Sequence, residues 1–159
     1  MKYTRFEELP VWLAAMDLAV RIFALAALGP LRRQRSLRDQ IERAVVSIGN
    51  NVAEGFERGT TQELLTFLYI ARGSAGEVRS MLCLMERIES LSDLKSEISD
   101  LKLSAERVSR QLGAWAQSLQ DSPIKGPRYL TSKSRHLEEA RRDRDAFVKE
   151  LQKIREPKG

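Results

Sequence analysis

The chain has 159 residues, of which 42% are hydrophobic and 31% charged, and its formal net charge is +5. This length suits one domain, or one domain with an appendage, and the single cysteine, Cys83, excludes an internal disulfide and fits a reducing compartment. No apolar run approaches the roughly 20 residues that cross a bilayer and no secretory signal is recognised. We therefore expect a cytoplasmic protein without a membrane partner.

The first predicted helix begins at Pro10 and ends before Gly29-Pro30, because proline suits a first helical turn and a Gly-Pro pair stops a helix. Its apolar residues recur at steps of three and four, and we expect them to face the core. They are Trp12, Ala15, Met16, Ala19, Ile22, Phe23 and Ala26.

A second helix is predicted from near Ser36 to Gly59, where a left-handed glycine would end it. Its core-facing residues are Leu37, Ile41, Val45, Ile48, Val52 and Phe56. Thr60 and Glu63 then form a capping-box pattern, in which the hydroxyl caps one amide and the carboxylate reaches back to another.

The third helix carries apolar residues at Leu64, Phe67, Leu68, Ala71, Ala75, Val78, Leu82, Met85 and Ile88. Gly73 and Gly76 lie in its middle, where each glycine costs roughly 1 kcal/mol relative to alanine. We expect another helix to approach closely there; the alternative is a simple weak point in the helix.

A fourth helix, capped by Ser92, has a regular seam whose steps alternate four and three, as in coiled coils. Its members are Leu94, Ile98, Leu101, Ala105, Val108, Leu112, Trp115 and Leu119. Four long amphipathic helices with short connections predict an all-α, up-down-up-down four-helix bundle over residues 1–120.

Residues 121–131 are predicted to form a linker because they contain Pro123, Gly126 and Pro127. For residues 132–156 the pattern predicts a charged C-terminal helical extension whose narrow apolar stripe needs a partner surface for stability. The stripe consists of Leu137, Ala140, Phe147, Leu151 and Ile154. Disorder of this segment in the free protein is the alternative.

Several segments match a known family in order and spacing, from Phe6 to Leu91 and, by helical pattern, to Leu119. They are the entry Phe6–Trp12, the run Gln40–Ile48, the core Asn51–Gly55, and Phe67–Ser74 with Glu77. The chain resembles the bacterial four-helix-bundle family first named for reading frames inside intervening sequences of large-subunit ribosomal RNA. The resemblance implies a ring, typically a homopentamer. Some relatives are retroelement accessory proteins that engage a reverse transcriptase and nucleic acid.

The matching segment contains polar residues that packing alone does not require. Asn51, Glu54 and Arg58 share one helix face because they are three and four residues apart. Together with Glu77 of the third helix they predict a structural polar network that fixes register or subunit geometry. A ligand or nucleic-acid contact is the second interpretation of the same residues.

Clustered cations suggest binding to nucleic acid through phosphates, largely independent of base sequence, with RNA and RNA/DNA as the candidate ligands. The candidates are Arg32, Arg33, Arg35, Arg38 and Arg43, and in the tail Lys125, Arg128, Lys133, Arg135, Arg141 and Arg142. Alternatively these cations are solvated, or paired with Asp39, Glu42, Glu138 and Glu139.

No catalytic constellation accompanies these features. The only histidine, His136, lies in the charged tail, and Cys83 between two leucines is interpreted as a small buried hydrophobe. Glu54 and Glu77 lack a nucleophile or metal partner. We therefore expect no enzyme, cofactor, metal or small-molecule substrate, but a homo-oligomeric accessory protein for nucleic acid and an enzyme such as a reverse transcriptase. The alternative is a protein-binding scaffold that uses the ring or the C-terminal helix.

Overall fold

The architecture comes from a computed structural model that describes residues 3–122 together with Arg144, Phe147 and Val148. The α-helices of this part are α1 (Pro10–Ala27), α2 (Gly29–Arg32), α3 (Arg35–Glu57), α4 (Thr61–Met85) and α5 (Lys95–Gln120). Short 3-10 segments cover Phe6–Glu8 and Glu89–Leu94, and no strand occurs among the described residues. The all-α prediction is confirmed.

The chain divides into two compact units, Met1–Gly126 and Pro127–Gly159. In the second unit the described residues Arg144, Phe147 and Val148 are helical and exposed. The rest of the predicted C-terminal helix lies outside the described residues.

The four long helices enclose one hydrophobic core. α3 packs against α4, α4 against α5, and α1 lies against both α3 and α5. The largest fully buried side chains come from all of these helices, and burial of each leucine, isoleucine or phenylalanine stabilises the fold by about 1.5–3 kcal/mol. Representatives are Leu18, Ile22, Ile41, Phe56, Leu68, Leu82, Ile98 and Leu112.

The core face of α1 is rotated from the predicted one. Ala15, Ala19, Ile22 and Ala26 are buried as expected, but Phe23 is 45% exposed. Val11, Leu18 and Leu25 occupy the core instead. Because α1 is apolar on nearly all sides, its spacing does not distinguish the two faces. For the same reason α1 resembles a membrane span in length and composition alone. Core helices of proteins outside membranes share these two properties.

The connection from α1 to α3 contains a helix that was not predicted. Gly29-Pro30 ends α1 and also begins α2, where proline fits the first turn. Leu31 anchors α2 in the core with 1% exposure. Because α2 contacts the Glu89–Leu94 segment, the α1–α3 and α4–α5 connections lie at the same end of the bundle, which we call the α2 end.

The connection from α3 to α4 is extended. The prediction that Gly59 takes a left-handed conformation is wrong, since no described residue has positive φ. α3 ends at Glu57, and Arg58 and Thr60 take extended conformations that lead straight into α4. The cap is confirmed: Thr60 Oγ1 accepts from the Glu63 amide at 3.2 Å, but the Glu63 carboxylate accepts from the Thr60 hydroxyl at 2.7 Å rather than from an amide.

The start of α5 also differs from prediction. Ser92 lies inside the 3-10 segment, and α5 begins at Lys95 after an N-cap, Leu94, that has no side-chain hydrogen bond. The predicted seam is buried from Ile98 to Leu112. At its end Ala116 is buried in place of Trp115, which is only partly buried.

The close glycine contact between α3 and α4 is at Gly55 of α3, not at the α4 glycines. A Cβ on Gly55 would lie 2.7 Å from the Phe67 Cβ and 3.2 Å from Leu64 Cδ1. Around Gly73 and Gly76 no atom of the described residues would lie within 4 Å of such a Cβ, so the close approach predicted there is wrong within the protomer.

Gly55→Ala should therefore destabilise the fold by about 1–3 kcal/mol, because the Phe67 Cβ is fixed to the α4 backbone and cannot swing away. Gly49→Ala is the control: its nearest atom is the flexible end of Met16, and alanine favours the helix. Urea unfolding of both variants measures the difference. Equal stability of the two variants would contradict this packing.

Candidate functional site

Three arginines at the α2 end are exposed and have no acidic partner among the described residues. Arg32 ends α2, Arg33 follows it as the C-cap, and Arg35 begins α3. None of them makes an ion pair or hydrogen bond with another residue of the described part of the chain. Arg32, Arg33 and Arg35, which we call the arginine cluster, thus present three positive charges within one short connection.

Arg38, one turn further into α3, is already paired. Its Nη2 and Nε donate to Asp39 Oδ1 at 2.8 and 3.1 Å, and Glu42 Oε1 lies 3.9 Å from its Nε. The hydrogen bond to Asp39 raises the pKa of the Arg38 guanidinium. The two acids reduce the charge that Arg38 offers to an external phosphate.

Arg43 is exposed and lies between two surface grooves. The larger, of about 620 Å³, runs along the outer face of α3 and is bordered by Phe23 of α1 and by Val46. The smaller, of about 310 Å³, lies between α3 and α4 and contains Gln40 and Glu77. Arg43 and Ser47 line both grooves. No ion pair of Arg43 occurs within residues 3–122, so this side chain is a further free cation.

The remaining predicted cations cannot be placed in this way. Lys125, Arg128, Lys133, Arg135, Arg141 and Arg142 lie outside the described residues, as does His136.

A chain of hydrogen bonds joins α3 to α4. Asn51 Nδ2 donates to the Ser47 carbonyl at 2.7 Å and to Ser47 Oγ at 3.0 Å. Ser47 Oγ lies 3.0 Å from Ser74 Oγ, which donates to the Ile70 carbonyl at 3.1 Å. Either hydroxyl can be the donor in the contact between Ser47 and Ser74.

The predicted polar residues divide into separate groups. Asn51 belongs to the serine chain, whereas Arg58 pairs with Glu54 at 2.5 Å and lies 5.2 Å from the centre of the Phe67 ring. The hydrogen bond to Glu54 raises the pKa of Arg58. Glu77 lines the smaller groove and makes no hydrogen bond or ion pair with the described residues.

Sequence reasoning missed Ser47, Ser74 and Phe67 as partners in these groups. Ser47 precedes Asn51 by one turn, a spacing that permits contact. Nothing in the sequence shows that Ser74 faces Ser47, because that contact depends on how closely α3 and α4 pack. Within the described residues, no group of three or more His, Cys, Asp or Glu side chains could hold a metal ion.

The profile of the family described as "23S rRNA-intervening sequence protein" matches residues 7–114. A crystal structure of a protein of unknown function from the S23 ribosomal protein family of Bacteroides thetaiotaomicron is similar in fold. The two chains are 23% identical with a TM-score of 0.60, over 67% of this chain and 98% of the other. No curated protein sequence matches the chain.

Ser74→Ala should lower the free energy of unfolding by about 0.5–1.5 kcal/mol, because the hydrogen bond between the Ser47 and Ser74 hydroxyls of α3 and α4 is lost. Thr66→Ala is the matched control: its hydroxyl donates only to the Gln62 carbonyl of the same helix and is exposed. We expect that variant to stay within about 0.5 kcal/mol of wild type. Urea denaturation compares them, and an equal loss in both would show that the hydroxyl contact between α3 and α4 contributes nothing.

Proposed function

Since the chain belongs to the 23S rRNA-intervening sequence protein family, we propose that it is a non-enzymatic, oligomeric accessory protein that binds nucleic acid through phosphate contacts. Its site is the arginine cluster, with Arg43 and the cations of the tail as secondary contacts. The observation that carries the proposal is the exposure of Arg32, Arg33 and Arg35 without an acidic partner among the described residues.

Arginine chemistry explains why such a cluster fits a polyanion. Each guanidinium presents a planar set of donors that matches two phosphate oxygens at once. Contacts of this kind position a nucleic acid but do not read its bases. The ligand is therefore RNA or an RNA/DNA hybrid bound without strong sequence preference, and its processing enzyme, such as a reverse transcriptase, is the further partner.

Assembly of several copies into one particle increases the affinity that the weak phosphate contacts of a single arginine cluster provide. Phosphate binding by a few cations gives dissociation constants of about 10⁻⁴–10⁻⁶ M at physiological salt. In this proposal the four long helices run up-down-up-down, an arrangement that the short connections favour. A homopentameric ring of such bundles repeats the arginine cluster five times around one axis. Linked copies raise the effective affinity without any new contact. The protein acts in the cytoplasm in this proposal.

A protein-binding scaffold is the second candidate. It is favoured by exposed apolar side chains on the bundle, among them Ile70 and Leu84 of α4, and by the exposed Phe147 and Val148 of the second unit. Such a scaffold would bind one protein partner with little dependence on salt, because apolar contacts are not screened.

The triple variant Arg32→Gln, Arg33→Gln, Arg35→Gln tests the proposal in a fluorescence titration of a short RNA hairpin at increasing salt. Affinity should fall, and the slope of log K against log salt should become shallower by about 2–3, since three phosphate contacts are lost. The control is Arg72→Gln, Arg79→Gln, Arg107→Gln, which removes the same charge from exposed positions on α4 and α5.

The control variant should keep most of the affinity and slope of the wild type. An equal fall in both triple variants would show that only net charge matters, and that the arginine cluster is not the site. Wild-type protein that fails to bind RNA at low salt would leave the scaffold as the better explanation.

A further inference from the structure

The side of α1 that points away from the core is apolar except at Asp17. Leu13 and Val20 are 52% and 69% exposed, and Ala24 and Ala27 lie exposed on the same face at helical spacing. On an ordinary surface helix this face would carry charges. Asp17 is the one charged residue among these outward positions. The neighbouring Arg21 points toward α5, where its Nη1 donates to Ser104 Oγ at 3.2 Å.

Two further exposed apolar side chains lie at the edges of the larger groove between α1 and α3, whose other lining residues are polar or charged. Phe23, 45% exposed, and Val46, 37% exposed, border the larger groove between them and extend the outward face of α1 sideways. We call Leu13, Val20, Phe23, Ala24, Ala27 and Val46 the α1 face. An exposed apolar area of this extent on a bundle marks an interaction surface.

The size of the α1 face fits part of a protein interface. Eighteen helical residues extend about 27 Å, and two adjacent helices lie about 8–10 Å apart. The face therefore covers several hundred Å², somewhat below the roughly 800 Å² per partner of a standard interface. A neighbouring helical surface of similar length would cover it completely and add the polar rim.

The charge on this face argues against α1 packing on α1 of another copy. Asp17 is exposed and makes no ion pair or hydrogen bond with residues 3–122. A two-fold contact between α1 helices would bring two such carboxylates close together in a water-poor interface, which is unfavourable. A contact with a different, cationic face of the neighbouring copy neutralises Asp17. Contacts between two different faces are also those that close into a ring.

We propose that the α1 face is the surface through which each copy of this chain docks on a different face of a second copy, with Asp17 paired to an arginine of that copy. This inference rests on the proposed assembly and adds the surface that makes it. Exposed arginines that lack an ion pair in the described residues stand elsewhere on the bundle, for instance Arg87 directly after α4.

Val20→Glu tests the proposal in the full chain by multi-angle light scattering over a range of protein concentrations. A charge at the centre of the α1 face should raise the concentration at half-dissociation at least tenfold, while circular dichroism stays that of the folded wild type. Leu103→Glu, at a 48% exposed leucine on α5, is the matched control and should keep the wild-type mass. Leu13→Glu is the second variant, should Val20→Glu fail to fold, and should dissociate in the same way.

The remaining outcomes separate the inference from the proposed function. An oligomeric wild type whose mass survives both Val20→Glu and Leu13→Glu would overturn the inference and leave the assembly intact. A monomeric wild type would overturn both. Wild-type protein that is monomeric but sediments with anionic lipid vesicles, and loses this binding on Val20→Glu, would assign the face to a membrane instead. RNA binding at low salt is measured on the same samples and tests the arginine cluster independently.

Discussion

The contact between Gly55 and Phe67 is the constraint on which the polar contacts between α3 and α4 depend. Because Gly55 has no side chain, the α4 backbone at Phe67 approaches α3 closely. That approach lets Ser47 reach Ser74 across the two helices, and it places the Phe67 ring beneath the Arg58 guanidinium. A larger residue at position 55 would separate the helices and break both contacts.

The surfaces of the bundle carry different chemistry in different places. The α2 end holds the arginine cluster, the α3–α4 side holds the serine chain and the smaller groove, and α1 exposes an apolar face that borders the larger groove beside Arg43. This separation means that one copy can contact its neighbour through α1 while its arginine cluster remains accessible. We propose that assembly repeats the cationic site and so supplies the affinity that a single cluster lacks.

Hydrophobic spacing predicted most of the fold. The long helices, the Thr60 cap and the seam of α5 from Ile98 to Leu112 follow from local sequence alone. The misplaced features depend on tertiary contacts. Phe23 has the spacing of a core residue because α1 is apolar on several sides, and only packing against α3 and α5 decides which side is buried.

The glycines show the same limit at the candidate site. Gly73 and Gly76 stand out in the sequence of α4, yet a Cβ there would lie within 4 Å of no atom of the described residues, whereas Gly55 makes the close contact with α4. Likewise, spacing on α3 correctly placed Glu54 and Arg58 on one face and permits the bond from Asn51 to Ser47, but it could not show that Ser47 meets Ser74 of α4. Which side chains meet across two helices, and which charged side chains remain without a partner, depends on the three-dimensional arrangement.

An assembled particle that binds nucleic acid through phosphates is the central proposal. The most direct measurement is the mass of the wild-type particle in solution, with and without a short structured RNA, at low and at high salt. We predict a mass of several chains that increases by bound RNA at low salt and returns to that of the protein alone at high salt. A particle whose mass does not change on addition of RNA at either salt concentration would contradict the proposal.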